Sequence, residues 1–71
     1  MEINTKQLRS VRAKFDLTQL DLGNIIEKTD VTYSRKENNI RPFHLIEAKK
    51  ITDYINELDK NKEWIIEDIF F

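Results

Sequence analysis

The chain has 71 residues, a formal net charge of −1, one glycine, one proline and no cysteine. A chain of this length forms one domain over residues 1–71, and the lack of cysteine excludes a disulfide framework and a thiolate metal site. So few glycine and proline residues argue against a loop-rich or all-β protein, which leaves an all-α fold as the prediction.

Two amphipathic helices are predicted in the first 27 residues. Helix 1 covers about Thr5–Phe15 and helix 2 about Gln19–Glu27. Their apolar faces consist of Leu8, Val11 and Phe15 in helix 1, and of Leu22, Ile25 and Ile26 in helix 2. Thr18 is placed to cap helix 2, with Asp21 in the acidic position of a capping box. Gly23 costs about 1 kcal/mol against Ala inside this helix, so we expect a second helix to cross close to it.

A polar third helix is predicted over about Asp30–Asn38, with Thr29 as its cap. Helical phase turns Tyr33 toward the core, and we expect its hydroxyl to lie near the surface. The opposite, exposed face carries Asp30, Val31, Ser34 and Arg35. A loop over residues 38–41 follows, and Pro42 prevents helix 3 from continuing.

Helix 4 is predicted from about His44 through Ile55 or beyond, and a short last helix over about Ile65–Phe70. The apolar stripe of helix 4 consists of Leu45, Ala48, Ile51, Ile55 and Leu58. Residues 57–63 contain neither proline nor glycine, so they can lengthen helix 4, with a break most favoured at residues 59–61. Beyond the break, a dense apolar segment contains Trp64, Ile65, Ile66, Ile69, Phe70 and Phe71.

The order of these helices and residues resembles the phage repressor and Cro family of helix-turn-helix proteins. The resemblance rests on Leu8, Arg12, Leu17-Thr18-Gln19, Leu22, Gly23, Ile26, Tyr33-Ser34, Glu37-Asn38, Arg41-Pro42-Phe43, Glu47-Ala48, Ile51 and Glu67 to Phe71. It implies a compact five-helix, lambda-repressor-like domain with a helix-turn-helix in helices 2 and 3. The chain departs from the family pattern at Gly23, where Ala is usual, at Glu27, where Gly is usual, and at Lys28, where an apolar residue is usual. Residues 57–63 have no counterpart in the commonest members.

The fold implied by this resemblance places the start of helix 3 in the major groove of DNA. Arg35 is the best candidate to read a base, because Arg with guanine is the commonest specific contact; a phosphate contact and a solvated charge are the alternatives. Val31 is suited to a thymine methyl group, and Asp30 either accepts from cytosine N4 or only stabilises the start of its own helix. Thr29 either reaches DNA or serves only as a cap, and Ser34 lies one turn further along the same face.

Phosphate contacts are expected at both ends of this pair of helices. Gln19 opens helix 2, where its amide can reach a phosphate or a base, and its alternative role is that of a solvated helix former. Asn38, Asn39 and Arg41 follow helix 3 and suit a neighbouring phosphate, although turn formation also explains the two asparagines. By the resemblance, Arg12 and Glu37 form a structural ion pair between helices 1 and 3.

Charge is the main argument against a nucleic-acid partner, since 12 basic residues face 13 acidic ones. The charge is unevenly divided: residues 1–50 hold ten Lys or Arg and seven Asp or Glu, a net +3, whereas residues 51–71 hold two and six, a net −4. This division suits one DNA-binding face and an opposite face turned to solvent or a partner. A solvated surface with accidental asymmetry is the alternative.

Enzymatic chemistry finds no support in the sequence. His44 is the only histidine, no nucleophile is paired with a base, and no glycine-rich phosphate loop is present. We therefore expect no enzyme activity, no metal, no cofactor and no small-molecule ligand. No apolar run reaches the roughly 20 residues of a membrane span and no signal-peptide pattern is apparent, so we expect a cytoplasmic protein without a membrane partner.

The function that these features favour is sequence-specific binding of double-stranded DNA by a small phage- or prophage-type transcriptional regulator. An inverted-repeat operator is the expected site, bound by a homodimer formed through the C-terminal apolar segment with Trp64 or Phe71 in the seam. That segment can instead close the monomer core. Two alternatives remain: a protein-interaction module of the same fold, such as an anti-repressor or adaptor, and a DNA-binding subunit of a larger recombination or toxin–antitoxin complex.

Overall fold

Five α-helices form the fold, which is described for residues 3–71 by a computed structural model. They are α1 (Lys6–Lys14), α2 (Gln19–Ile25), α3 (Asp30–Glu37), α4 (Leu45–Leu58) and α5 (Ile66–Phe70), with no strand among the described residues. The prediction of an all-α domain is confirmed, and the helix ends differ from the predicted ones by a few residues at most. No helix in residues 3–71 has both the length and the apolar character needed to cross a bilayer.

The core lies where all five helices meet. α2 packs on α3 and α4, while α1 and α4 both pack on α5. The largest fully buried side chains are Leu8, Leu22, Tyr33, Ile51, Ile55, Ile69 and Phe70. Phe43, in the loop before α4, packs edge-on against Tyr33 and Phe70 with ring centroids 6.0 and 5.3 Å away, so it joins α3 to α5. The amide of Asn4 donates to the carbonyl of Phe70, which ties the N-terminal segment to the same core.

The predicted apolar stripe of α4 is correct in the middle of the helix and wrong at its ends. Ala48, Ile51 and Ile55 are buried, whereas Leu45 is 65% and Leu58 44% exposed. The two leucines are the first and last residues of the helix, and its buried residues all lie between them. Ile25, also predicted to be buried, is the last residue of α2 and is only half-buried.

Three helices end in the same backbone motif without a glycine. Asp16, Glu27 and Asn39 follow the C-caps of α1, α2 and α3 and have positive φ angles of 57°, 60° and 63°. After α2, the amide of Lys28 donates to the carbonyl of Gly23 at 2.8 Å, and that of Glu27 to the carbonyl of Asn24 at 3.1 Å. These bonds define a Schellman motif, in which the left-handed residue is usually glycine.

Gly23 faces the turn after α2 and not, as predicted, a crossing helix. A Cβ added there would lie 3.0 Å from the carbonyl oxygen of Lys28 and 3.1 Å from that of Thr29. Thr29 is the N-cap of α3, so the missing side chain lets the chain turn tightly into α3. The approach involves backbone atoms, so a Cβ at position 23 would require the turn to shift by a few tenths of an ångström.

The segment between α4 and α5 is folded against the core. α4 ends at Leu58, in agreement with the predicted break at residues 59–61. Asn56 then holds Trp64 through both polar atoms of its backbone, accepting from the amide at 2.7 Å and donating to the carbonyl at 2.9 Å. The indole Nε1 donates to Asp59 Oδ2 at 3.0 Å. Trp64 is therefore buried within the monomer, while Phe71 is half-buried.

The left-handed turn after α2 gives a first test. We expect Glu27→Gly to be more stable than Glu27→Ala by about 1 kcal/mol, because both variants lose the exposed contact with Lys50 but only Ala keeps a Cβ at positive φ. The same pair of substitutions at Asn24, an exposed position inside α2, should give the opposite order by about 1 kcal/mol. Chemical denaturation measures both differences, and an Ala variant as stable as Gly at position 27 would contradict the turn geometry.

The two hydrogen bonds between the Asn56 side chain and the backbone of Trp64, here called the Asn56 clamp, give a second test. We expect Asn56→Ala to lower the free energy of unfolding by about 1–3 kcal/mol, because two backbone groups of Trp64 lose their partner. Asn56→Asp keeps the acceptor and removes the donor, so its loss should be intermediate. Urea unfolding followed by tryptophan fluorescence reports both stability and the environment of Trp64. An Ala variant that unfolds like the parent would show that the clamp contributes nothing.

Candidate nucleic-acid interface

The first turn of α3 presents its side chains to solvent. Thr29 caps the helix by accepting from the amide of Thr32 at 3.2 Å, and Asp30 Oδ1 accepts from the amide of Val31 at 3.0 Å. Thr29, Asp30 and Val31 are all exposed, with Val31 at 55%. The carboxylate of Asp30 stabilises the positive end of its own helix, so its position has a structural reason whatever else it contacts.

Arg35 lies one turn after Val31 on the same side of α3 and is exposed. The inner side of the helix is formed by Tyr33, Lys36 and Glu37, all buried. α3 therefore has one outer face, which runs from Asp30 and Val31 to Arg35.

A buried carboxylate holds the inner side of α3. Glu37 accepts from Arg12 at both oxygens, with Nε–Oε2 2.9 Å and Nη2–Oε1 3.0 Å, and from the hydroxyl of Tyr33 at 2.7 Å. The Arg12–Glu37 contact expected from the resemblance is therefore present, with side-chain exposures of 25% and 3%. The hydroxyl of Tyr33 is buried against Glu37, which corrects the prediction that it lies near the surface.

The pKa values of this cluster follow from burial and charge. Burial works to raise the pKa of Glu37, but the guanidinium of Arg12 and the hydroxyl of Tyr33 hold it below its usual range. Burial, and then the hydrogen bond to Glu37, raise the pKa of Tyr33 above its ordinary value. Glu37 is thus ionised and Tyr33 protonated at neutral pH, the states in which the carboxylate can accept and the hydroxyl can donate.

Two of the predicted DNA contacts are engaged inside the protein. The Gln19 side chain points to α3, with Nε2 3.4 Å from Ser34 Oγ and 3.5 Å from Glu37 Oε1. Asn38 donates from Nδ2 to the Ser34 carbonyl at 2.9 Å and accepts at Oδ1 from Arg9 Nη2 at 2.6 Å. These contacts connect α1, α2 and the end of α3 beside the outer face.

Arg9 was not among the residues singled out from the sequence. Its Nη2 also lies 3.3 Å from the carbonyl oxygen of Glu37, so it caps the C-terminal end of α3. Arg9 stands three residues before Arg12, so the two side chains lie on the same side of α1. This spacing is the one sequence feature that could have indicated a role for Arg9.

The loop after α3 forms a turn that uses its own backbone amides. Asn39 adopts the left-handed conformation, and the amides of Ile40 and Arg41 both donate to the carbonyl of Arg35, at 2.8 and 3.2 Å. The turn role considered for Asn39 is thus present. The exposed guanidinium of Arg41 lies beside Asn39 in a shallow cleft, at the opposite end of α3 from Asp30 and Val31.

A second buried ion pair joins α3 to α4 and was not predicted. Lys36 Nζ lies 2.9 Å from Glu47 Oε1 and donates to the carbonyl of Pro42 at 3.0 Å. Burial works to raise the pKa of Glu47, but the amide of His44 and the ammonium of Lys36 hold it below its usual range. Lys36 stands three residues after the buried Tyr33, so helical phase alone indicates its inward position.

Exposed charges over residues 19–41 balance. Lys28, Arg35 and Arg41 are exposed and basic, while Asp21, Glu27 and Asp30 are exposed and acidic. Among the described residues, no group of three or more potential ligands is placed to hold a metal ion. No family model, curated protein or solved structure matches the chain.

The Glu37 cluster predicts how stability depends on pH. Because the folded pKa of Glu37 is depressed, its contribution is complete above the ordinary carboxyl value of 4.5 and is lost as pH falls below it. We expect Arg12→Met to lower the free energy of unfolding by about 3 kcal/mol at pH 7, since it strands a buried charge. The difference between parent and variant should narrow as pH falls below 4.5, because the carboxylate that loses Arg12 takes up a proton at a higher pH than the paired one.

Lys49→Met provides the matched control, because Lys49 contacts Asp53 in a pair whose two side chains are 65% and 64% exposed. Its effect should stay below about 1 kcal/mol at every pH. Thermal and urea unfolding between pH 3 and 7 measure both variants. A difference for Arg12→Met that does not change with pH would show that the ionised state of Glu37 is not what Arg12 stabilises.

Proposed function

We propose that the protein binds double-stranded DNA sequence-specifically as a small phage- or prophage-type transcriptional regulator. In this proposal α2 and α3 act as a helix-turn-helix, and the first turn of α3 enters the major groove. One observation carries it: α3 is held by buried contacts along its inner side, while Asp30, Val31 and Arg35 stand free on its outer face. A rigid helix with an exposed, mixed polar face is what base recognition requires.

Each side chain on this face matches a group on a base edge. Arg35 can donate two hydrogen bonds to guanine, Val31 can pack on the methyl group of thymine, and Asp30 can accept from the amino group of cytosine. Thr29 keeps its hydroxyl in the helix cap and Ser34 is half-buried, so they support the face and contribute less to readout.

In this proposal, residues beside the outer face of α3 bind the phosphates of DNA. Arg41 is exposed at one end of α3, and Lys28 is exposed in the turn before it. Gln19 can add an amide contact if it leaves Ser34, from which it is separated by a long 3.4 Å. Asn38 and Asn39 form the end of α3 and act by positioning Arg41.

A protein-interaction module of the same fold is the second candidate. The near balance of charge around α3 favours it, because Asp21 and Asp30 oppose a phosphate backbone. Selection of bound sequences from random duplex DNA at moderate salt decides between the two. Enrichment of a defined motif supports the regulator, and an inverted repeat supports a dimeric one. No enrichment rejects DNA recognition and leaves the interaction module.

Substitution of Arg35 on the outer face and of Arg41 beside it then tests the roles proposed for them. We expect Arg35→Ala to weaken binding to the selected site by about 1–3 kcal/mol and to relax the preference at one base pair. Arg41→Ala should weaken binding to all sequences alike and reduce the slope of log affinity against log salt by about 1. Fluorescence anisotropy across a salt series measures both effects.

Lys60→Ala is the matched control, because it removes one exposed positive charge from the segment after α4. It should change affinity only slightly. Circular dichroism verifies that each variant is folded. Affinity unchanged in both Arg35→Ala and Arg41→Ala would remove α3 from the DNA interface.

A further inference from the structure

The outward face of α4 carries a charge pattern that is complementary to itself. Helical phase, set by the buried Ala48, Ile51 and Ile55, places five residues on the opposite side. In chain order these are Ile46, Lys49, Lys50, Asp53 and Glu57, and all five are exposed. The first half of the face is therefore apolar and basic, and the second half is acidic.

Two copies of this face match when the helices run antiparallel about a two-fold axis between residues 51 and 52. Each residue then opposes the one equally far beyond the axis, so that Lys50 meets Asp53 of the other copy and Ile46 meets Glu57. The axis repeats both contacts, giving two ion pairs at the centre and, at each end, Ile46 of one copy beside Glu57 of the other. A parallel arrangement would instead place equal charges together.

A groove beside α4 can receive the apolar end of the second copy. It is an open groove with a volume of about 270 Å³, and it is lined by Ile25, Lys50, Asp53, Tyr54 and Glu57. Ile46, itself 65% exposed, opposes Glu57 in the antiparallel arrangement and so lies at the mouth of this groove. The half-buried Ile25 and Tyr54 supply the apolar wall.

The lysines of this face are free to change partners. Lys50 lies 3.3 Å from Glu27 and Lys49 lies 3.1 Å from Asp53, and the side chains of both pairs are largely exposed. Exposed pairs of this kind hold their geometry weakly. A second copy can therefore take over these charges without breaking buried structure.

We propose that the outward face of α4 is a homodimer interface in which two copies pair antiparallel through Lys50–Asp53 contacts and through Ile46 in the groove beside α4. This interface is an alternative to the C-terminal seam expected from the sequence, of which Trp64, Ile69 and Phe70 are buried within one monomer while Ile65 is exposed. A helix of 14 residues is about 21 Å long, so the interface is smaller than that of a permanent dimer. A dissociation constant on the order of 10–100 µM is expected. The inference does not depend on DNA binding.

Exchange of charge between two variants tests the pairing, because misfolding of either variant would not be reversed by mixing the two. Sedimentation equilibrium of the full chain, without DNA and over about 10–500 µM, should show dimers of the 8.6 kDa monomer. Lys50→Glu and Asp53→Lys each place equal charges together, so each variant alone should be monomeric. An equimolar mixture of the two restores both ion pairs, and dimers should reappear.

Single apolar substitutions locate the seam. Ile46→Ser should weaken association at least about tenfold, whereas Ile40→Ser, at an exposed position outside α4, should leave it unchanged. Ile65→Ser tests the C-terminal segment, where Ile65 is exposed. A parent that stays monomeric throughout, a mixture that stays monomeric, or association lost in Ile65→Ser but kept in Ile46→Ser would each overturn the proposal. Thermal melting shows that each variant is folded.

Discussion

The burial of one carboxylate, that of Glu37, is the constraint on which the arrangement of the first three helices depends. An ionised carboxylate loses much of its hydration when buried, and only short, well-directed hydrogen bonds offset that cost. Arg12 supplies two of these bonds from α1, and Tyr33 supplies one from within α3. Because all three donors must reach one group, α1 and α3 can adopt only a narrow range of relative positions. The arrangement thus specifies geometry more than it adds stability.

A second buried pair extends this control to α4. Lys36 precedes Glu37 in the chain and points to Glu47, so two successive residues of α3 are fixed to different helices. A short helix held on two sides cannot rotate about its axis without breaking one of the pairs. This explains how a helix with a weakly apolar sequence is held firmly in a domain of 71 residues, and why its outer face keeps a fixed direction.

Features that depend on residues close together in the sequence could be predicted from it. Features that depend on contacts between different helices could not. Helix positions follow from apolar spacing and from caps such as Thr18 and Thr29, whose partners lie three residues away. The Lys36–Glu47 pair joins residues 11 apart in different helices, so no local pattern indicates it. The left-handed conformation of Glu27 could not be predicted from its residue type, because Glu does not favour it, although the resemblance marked this position as one where Gly is usual. At the candidate site, exposure of Asp30, Val31 and Arg35 followed from helical phase, whereas the internal bonds of Gln19 and Asn38 needed tertiary contacts.

The same buried pairs connect the two surfaces for which functions are proposed. The outer face of α3 and the outward face of α4 lie on different helices, yet the Lys36–Glu47 pair fixes one helix relative to the other. If α4 pairs with a second copy, the distance and angle between the two α3 helices are then set by rigid packing and not by a linker. An inverted-repeat site demands such a fixed separation, about 34 Å between half-sites. Weak pairing through α4 would suffice, because two half-sites on one duplex hold both copies at high effective concentration.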